Sequence, residues 1–156
     1  MPKWFLLLFS LILLSGCSYT LVKPSSQNVY VKIFTNNTLQ PKIESYVYAE
    51  TKQVLVEREG FNLVNNPQKA DIIIGGTIIK FTTNPDFFSS SGEIEMASYT
   101  VKINLIIEKN HKITRQLITT DFHLPLIQNF NLELLLTQIS KKVANNIYFL
   151  LLKNYD

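Results

Sequence analysis

The sequence predicts an α+β domain, a two-layer sandwich in which two helices pack on one face of a mixed sheet of about four to five strands. Several segments alternate apolar and polar residues with the period of a strand. Two others, 41–59 and 130–154, carry apolar residues at helical spacing. Because the long strands follow one another, we expect antiparallel hairpins, whereas the first helix is a crossover between its two flanking strands.

The first strand is predicted over residues 28–35, with Val29, Val31 and Ile33 on one face. Two asparagines then indicate a turn. The following helix is predicted over 41–59, because proline is favoured at a first helical position and Gly60 supplies an end signal.

Four further strands are predicted, of which the first is alternatively an irregular lead-in and the long ones form antiparallel hairpins. Their ranges are 61–64, 71–82, 93–108 and 113–124, with a turn at 109–112. A Gly75-Gly76 pair inside the second of them indicates a bulge or a close backbone approach. Residues 84–92 are predicted to be a polar loop that contains Phe87 and Phe88.

The second helix has an apolar stripe at i, i+3, i+4 and i+7 spacing. The stripe consists of Leu132, Leu135, Leu136, Ile139, Val143, Ile147 and Leu151. Residues 147–152 are apolar on every side, which is unusual for a helix with one wet face. These last turns therefore either insert deep into the domain or contact a partner.

The first residues have the pattern of a bacterial lipoprotein signal peptide. Lys3 precedes an apolar run over 4–14, which is too short to span a bilayer and ends in Leu-Ser-Gly-Cys17. We therefore predict a signal peptide over 1–16, acylation of Cys17, an acylated tether over 17–27 and a single domain over 28–156. An ordinary signal peptide with an incidental cysteine, or an uncleaved anchor, is the alternative.

Composition excludes several classes of protein. Cys17 is the only cysteine, so an intramolecular disulfide or a cysteine-based metal cluster is impossible. The net charge is only +3 and no basic run occurs, so we expect no nucleic-acid partner. A serine rather than an aspartate follows the cysteine, which favours the outer membrane where the proteobacterial sorting rule applies.

Residues suited to catalysis are sparse. Asp121 and His123 share a strand face, but no Gly-x-Ser-x-Gly elbow accompanies them. Glu93 and Glu95 are also neighbours on one face, which is more typical of a solvated edge than of acid–base catalysis. The two histidines, His111 and His123, lack a third zinc ligand. We expect no enzyme activity, no metal and no cofactor.

Two features remain that could bind something. The phenylalanines of the 84–92 loop either fold back on the core or contact a partner or lipid. Lysines and arginines on or near the strands either protect sheet edges or contact phosphate groups. These basic residues are Lys80, Lys102, Lys109, Lys112 and Arg115.

The ordered set of short motifs resembles the LptE family of lipopolysaccharide-assembly lipoproteins. The motifs are GCSY at 16–19, VYVKIFTNNT at 29–38, PKIE at 41–44, FNLV at 61–64, ADIIIGGTII at 70–79, SGE at 91–93 and YTVKI at 99–103. The resemblance implies two helices against a sheet of about four strands, consistent with the pattern above. It covers nearly the whole chain after the signal peptide.

The resemblance also implies a function. Members of the family sit at the periplasmic side of the outer membrane, plug the LptD β-barrel translocon, assist its assembly and bind lipopolysaccharide. For this chain we expect partner or lipopolysaccharide contacts at Lys80, Phe87, Phe88, Phe149 and Leu152. The competing hypotheses are a periplasmic lipoprotein that activates a cell-wall synthase or serves a secretion apparatus, and a hydrolase that uses His123 and Asp121.

Overall fold

The chain forms two helices and one mixed sheet, in the order β-β-α-β-β-β-β-α. The computed structural model describes residues 27–88, 90, 92, 94–125 and 131–155. The strands are β1 (Gln27–Val31), β2 (Thr35–Asn36), β3 (Phe61–Leu63), β4 (Ile72–Phe88), β5 (Ile94–Lys109) and β6 (Lys112–Pro125). The helices are α1 (Ile43–Glu57) and α2 (Leu132–Tyr155), and a short 3-10 turn covers Pro67–Lys69.

The sheet contains six strands, five of them in the order β3-β1-β4-β5-β6, while the two-residue β2 pairs with β4. β1 runs parallel to β3 and β4 because the chain returns through the α1 crossover. β4, β5 and β6 form antiparallel hairpins. The predicted α+β class is confirmed. The predicted signal peptide, Cys17 and Glu93 lie outside the described residues.

The first predicted strand is interrupted. β1 ends at Val31, and the chain leaves the sheet before it pairs again at β2. The prediction placed Ile33 on the face of Val29 and Val31, but Ile33 is exposed and Phe34 is buried instead. The interruption occurs beside Gly75, where a Cβ atom would lie 2.9 Å from the Cβ of Lys32. This glycine therefore permits the close backbone approach that the sequence indicated.

Helix α1 begins two residues later than predicted. Lys42 has a positive φ of 66°, so Pro41 lies outside the helix. The helix ends at Glu57, and Gly60 adopts a φ of 110° that favours glycine. One face of α1, which includes Ile43, Val47, Val54 and Leu55, is buried against the core.

The prediction of a loop over 84–92 was wrong for its first half, because β4 continues to Phe88. Pro85 pairs with Ala97 and Phe88 pairs with Ile94, with register irregularities between 85 and 88. A proline is tolerated here because the ladder is already irregular at that point. The side chains of residues 84–88 are largely exposed, which suits their polar composition. Their backbone nevertheless pairs with β5.

The predicted hairpin turn between β5 and β6 is confirmed. Asn110 and His111 both have positive φ values, 50° and 61°, which suit a tight two-residue turn. β6 then runs in unbroken register with β5 and ends at Pro125.

Helix α2 begins where Asn131 caps it. The side-chain Oδ1 of Asn131 accepts hydrogen bonds from the backbone N–H groups of Glu133 and Leu134. At the other end Ile147 and Leu151 are buried, and the hydroxyl of Tyr148 donates to the carbonyl of Glu59. The apolar last turns therefore mainly insert into the domain, where α2 packs against the end of α1.

Both helices cover the same face of the sheet. On β5, the side chains of Tyr99, Val101, Ile103, Leu105 and Ile107 are buried in the core. The alternate side chains of β5 point the other way, and so do their partners on β4 and β6. We call this second surface the open face. Gly76 has no room for a side chain, because a Cβ atom would clash with the backbone oxygen of Asn104.

Candidate functional site

The open face carries two lysines side by side. Lys80 on β4 and Lys102 on β5 are directly paired, so their side chains leave the same face about 5 Å apart at Cβ. Lys80 is exposed, and no carboxylate of the described residues lies within 4.0 Å of either ammonium group. Like charges directly opposite each other are unfavourable unless an anion lies between them. The Lys80–Lys102 pair is therefore a candidate anion-binding position.

The neighbours of this pair are hydroxyl and amide side chains. On the same face, Thr82 and Thr100 form the next pair toward Phe88. Thr77 and Asn104 form the next pair toward Ile72. Asp121 on β6 is paired directly with Thr100, and its Oδ1 accepts a 2.7 Å hydrogen bond from the Thr100 hydroxyl. Lys102 was singled out in the sequence, but its pairing with Lys80 could be found only from the strand register.

The structure gives His123 a different partner from the one expected. Nδ1 of His123 lies 2.8 Å from Oδ2 of Asp86, across the width of β5, whereas Asp121 bonds to Thr100. A hydrogen bond from His123 and another from Ser98 hold the pKa of the Asp86 carboxyl below its ordinary value of 3.8. Asp86 follows Pro85 at the irregularity in β4, and this irregularity is what aims it at β6.

This cluster does not form a nucleophile–base pair. The single hydroxyl proton of Ser98 is shared between the Asp86 carboxylate and the Asn84 carbonyl 3.5 Å away, so the hydroxyl is not oriented by the His123 ring. His123 is largely exposed. Within the part of the chain that the structure describes, no three His, Cys, Asp or Glu residues are grouped to hold a metal ion. The cluster connects strands and shows no arrangement for hydrolysis.

The far end of the β4–β5 hairpin exposes two aromatic rings. Phe87 is 61% exposed and Phe88 is 59% exposed, so neither ring folds back onto the core. β4 contains 17 residues from Ile72 to Phe88, a length of roughly 50 Å. We call this end, with its two phenylalanines, the hairpin tip. Exposed rings of this size are typical of contact surfaces.

The other two predicted contact residues lie far from the tip. Phe149 is exposed near the end of α2, with its ring 5.6 Å from Tyr148 and 5.1 Å from the Arg58 guanidinium. Leu152 is partly buried against the core and lies beside Gly60, just before β3. The five predicted contact residues thus divide into two groups. Lys80 and the tip lie on the distal half of β4, whereas Phe149 and Leu152 lie at the opposite end.

Sequence reasoning missed an apolar region on the open face. It surrounds a shallow cavity of about 210 Å³ where β1 breaks, lined by residues that include Ile33, Gly75 and Ile106. The broken strand leaves Ile33 exposed, and strict alternation along β1 would have buried it.

Among the described helices, none is both long enough and apolar enough to cross a bilayer.

The structure is thus an α+β domain with exposed basic and aromatic side chains, which are typical of contact surfaces. The model of the LptE lipopolysaccharide-assembly family matches residues 26–150. The chain therefore belongs to the LptE family. No curated protein shows a matching sequence.

Solved structures share the fold at low sequence identity. The protein CT253 from Chlamydia trachomatis has a TM-score of 0.57 at 9% identity, covering 80% of this chain and 95% of that one. The protein XCC0632 from Xanthomonas campestris has a TM-score of 0.57 at 10% identity, covering 80% and 82%. The rare lipoprotein B from Shewanella oneidensis has a TM-score of 0.51 at 8% identity, covering 81% and 94%. At these identities the likeness concerns the fold.

Proposed function

We propose that this chain is an outer-membrane lipoprotein that plugs and helps assemble an LptD-type β-barrel, the translocon that inserts lipopolysaccharide into the outer leaflet. The observation that carries the proposal is the family match over residues 26–150. Cys17 is the acylated residue and the chain works at the periplasmic side of the membrane. The protein acts by binding, without catalysis and without a cofactor.

The geometry supports a plug with two kinds of contact. The β4–β5 hairpin is long, and it exposes the two phenylalanines of the tip at its far end. Burial of such rings contributes about 1.5–3 kcal/mol each when a partner covers them. The Lys80–Lys102 pair offers two ammonium groups to the phosphates of a lipopolysaccharide molecule. This long hairpin followed by a terminal helix also favours the proposal over a cell-wall synthase activator.

The partner is tested by purification from membranes. An affinity-tagged chain, solubilised in mild detergent, is expected to recover a large outer-membrane β-barrel in equal amount. Depletion of the chain is expected to reduce surface lipopolysaccharide and the amount of assembled barrel together. Recovery of no barrel, or lysis and shape defects with normal surface lipopolysaccharide, would contradict the proposal and favour the cell-wall alternative.

The lysine pair makes a sharper prediction. The double variant Lys80→Gln, Lys102→Gln removes two cations, each worth about 1 kcal/mol at an anionic lipid surface, so lipopolysaccharide binding is expected to weaken at least tenfold. Binding is measured with the purified lipoprotein in detergent. The matched control is Lys69→Gln, Lys153→Gln, which removes two exposed lysines outside the sheet. Equal affinity of the two double variants would show that the pair does not contact lipopolysaccharide.

A further inference from the structure

Four aliphatic side chains are exposed together on the half of the open face that lies nearest the start of β1. Their exposed fractions are 73% for Ile33, 39% for Ile106, 53% for Ile113 and 59% for Leu117. Ile106 is paired directly with Arg115, and Ile113 and Leu117 stand two residues to either side of that arginine. Ile33 and Ile106 line the same cavity. We call these four residues the near patch.

Basic groups frame the near patch. Lys32 lines the cavity with Ile33, and Arg115 stands among the other three aliphatic side chains. Glu108 is the acidic group that faces the same region, through its pairing with Ile73 and Ile113. Cations beside aliphatic groups match the order of an anionic lipid surface, where headgroup charge lies a few ångströms above the acyl chains.

The chain enters the sheet at the same end as the patch. Val29 pairs with Ile72, and Ile72 pairs with Lys109, so the start of β1 and the β5–β6 turn lie together. About ten residues separate Cys17 from Gln27, which limits their distance to about 35 Å. Lys32 lies a further ~16 Å along the sheet. An acyl anchor on Cys17 therefore keeps the near patch within reach of the leaflet that holds it.

We propose that the near patch docks on the anionic surface of the membrane that anchors the chain. Ile33, Ile106, Ile113 and Leu117 enter the boundary between headgroups and acyl chains, while Lys32 and Arg115 bind headgroup phosphates. The lipid anchor then no longer leaves the domain free to rotate, because the near patch is held against the bilayer. The inference depends on the acylation of Cys17 that the proposed function includes.

The test uses the full mature lipoprotein, in which acylation blocks Cys17. Leu117→Cys then supplies the only free thiol for an environment-sensitive fluorophore. The matched control is Val56→Cys, which is also exposed but lies on α1 in the helix layer. Both proteins are inserted in vesicles of phosphatidylethanolamine and phosphatidylglycerol. We expect blue-shifted emission and strong quenching by nitroxide lipids at residue 117, and neither effect at residue 56.

A charge variant tests the basic frame. Adding Lys32→Glu and Arg115→Glu is expected to abolish the blue shift at residue 117 while the lipoprotein still floats with the vesicles. Equal emission from residues 117 and 56 in floating protein would overturn the docking proposal and leave acylation intact. Failure to float would overturn the acylation and the docking together. A blue shift that appears without vesicles and grows with protein concentration would assign the patch to a second copy of the chain instead.

Discussion

At the scale of single residues, the most informative contact is the one between Asp86 and His123. It connects β4 to β6 across β5, close to the hairpin tip, where the register of β4 is irregular. The irregularity brings a carboxylate and an imidazole together that lie 37 positions apart in the chain. The contact therefore fixes the direction in which the distal hairpin leaves the domain.

The contact between Asp86 and His123 makes the stability of the fold depend on pH. Because hydrogen bonds lower the pKa of the folded carboxyl below 3.8, its contribution is complete above about pH 4 and decreases as the pH falls through the lowered value. Asp86→Asn is thus expected to reduce the urea midpoint above pH 4, and the difference from the wild type should vanish in stronger acid. Glu59→Gln, which changes an exposed carboxylate elsewhere, should show a smaller difference at every pH.

The decisive result in that experiment is how the stability difference between Asp86→Asn and the wild type changes with pH. A deficit for Asp86→Asn that stays constant into strong acid would mean that the asparagine disturbs packing, and that the charge of Asp86 is not what connects the strands. His123→Gln gives an independent check, because it removes the imidazole and leaves the carboxylate. It should show the same decrease above pH 4 if the contact acts as one unit.

At the scale of elements, α2 also protects an edge of the sheet. β6 is the last strand of the sheet order, and Nζ of Lys142 donates a 2.6 Å hydrogen bond to its Asp121 carbonyl. The same ammonium group lies 5.9 Å from the Phe122 ring, and Asn146 donates to the hydroxyl of Thr120. Side chains that occupy edge carbonyls hinder pairing with another chain.

Lys142→Ala tests this protection. The variant leaves an edge carbonyl to water and removes a charged donor, so we expect a loss of about 1 kcal/mol in the free energy of unfolding. We also expect more self-association, seen by light scattering during size-exclusion chromatography. Lys141→Ala is the matched control, because the neighbouring lysine is also exposed on α2. Identical behaviour of the two variants would show that the edge does not depend on Lys142.

The sequence was sufficient for elements whose pattern is set by one buried face. Helix α2 was predicted within two residues at each end because its stripe is regular, and the β5–β6 turn was predicted because its polar residues interrupt two long alternations. The distal part of β4 was missed because its polar composition resembles a loop, although its backbone pairs with β5. The interruption at Lys32 was missed because a close approach to Gly75 depends on a strand 43 residues away.

The candidate site was harder to predict because it also depends on the pairing of strands that are distant in the sequence. Each of the five expected contact residues was chosen for its own character, and the structure separates them into two ends of the molecule. The Lys80–Lys102 pair and the near patch arise only from strand register, which no local pattern contains. Composition along the chain can identify exposed basic or aromatic residues, but the pairing of strands decides which of them act together.

At the scale of the whole molecule, the two ends carry different surfaces. The near end carries the start of β1, the near patch and Phe149, whereas the distal end carries the hairpin tip. With Cys17 acylated as proposed, the anchor lies at the near end, and the tip extends away from it by roughly 50 Å along β4. If a β-barrel surrounds the domain, the tip is the part best placed to contact it at depth.

One comparison of variants distinguishes the contributions of the two ends to binding of the β-barrel. The double variant Phe87→Ser, Phe88→Ser is expected to fold normally, because exposed substitutions usually change stability by less than about 0.5 kcal/mol. It should nevertheless recover at least tenfold less β-barrel in affinity purification, since two rings lose their apolar contact. Phe149→Ser changes an equally exposed ring at the near end and should recover the barrel normally. If Phe149→Ser abolishes recovery and the tip variant does not, the barrel contacts the end of α2, and the orientation argued from the hairpin is reversed.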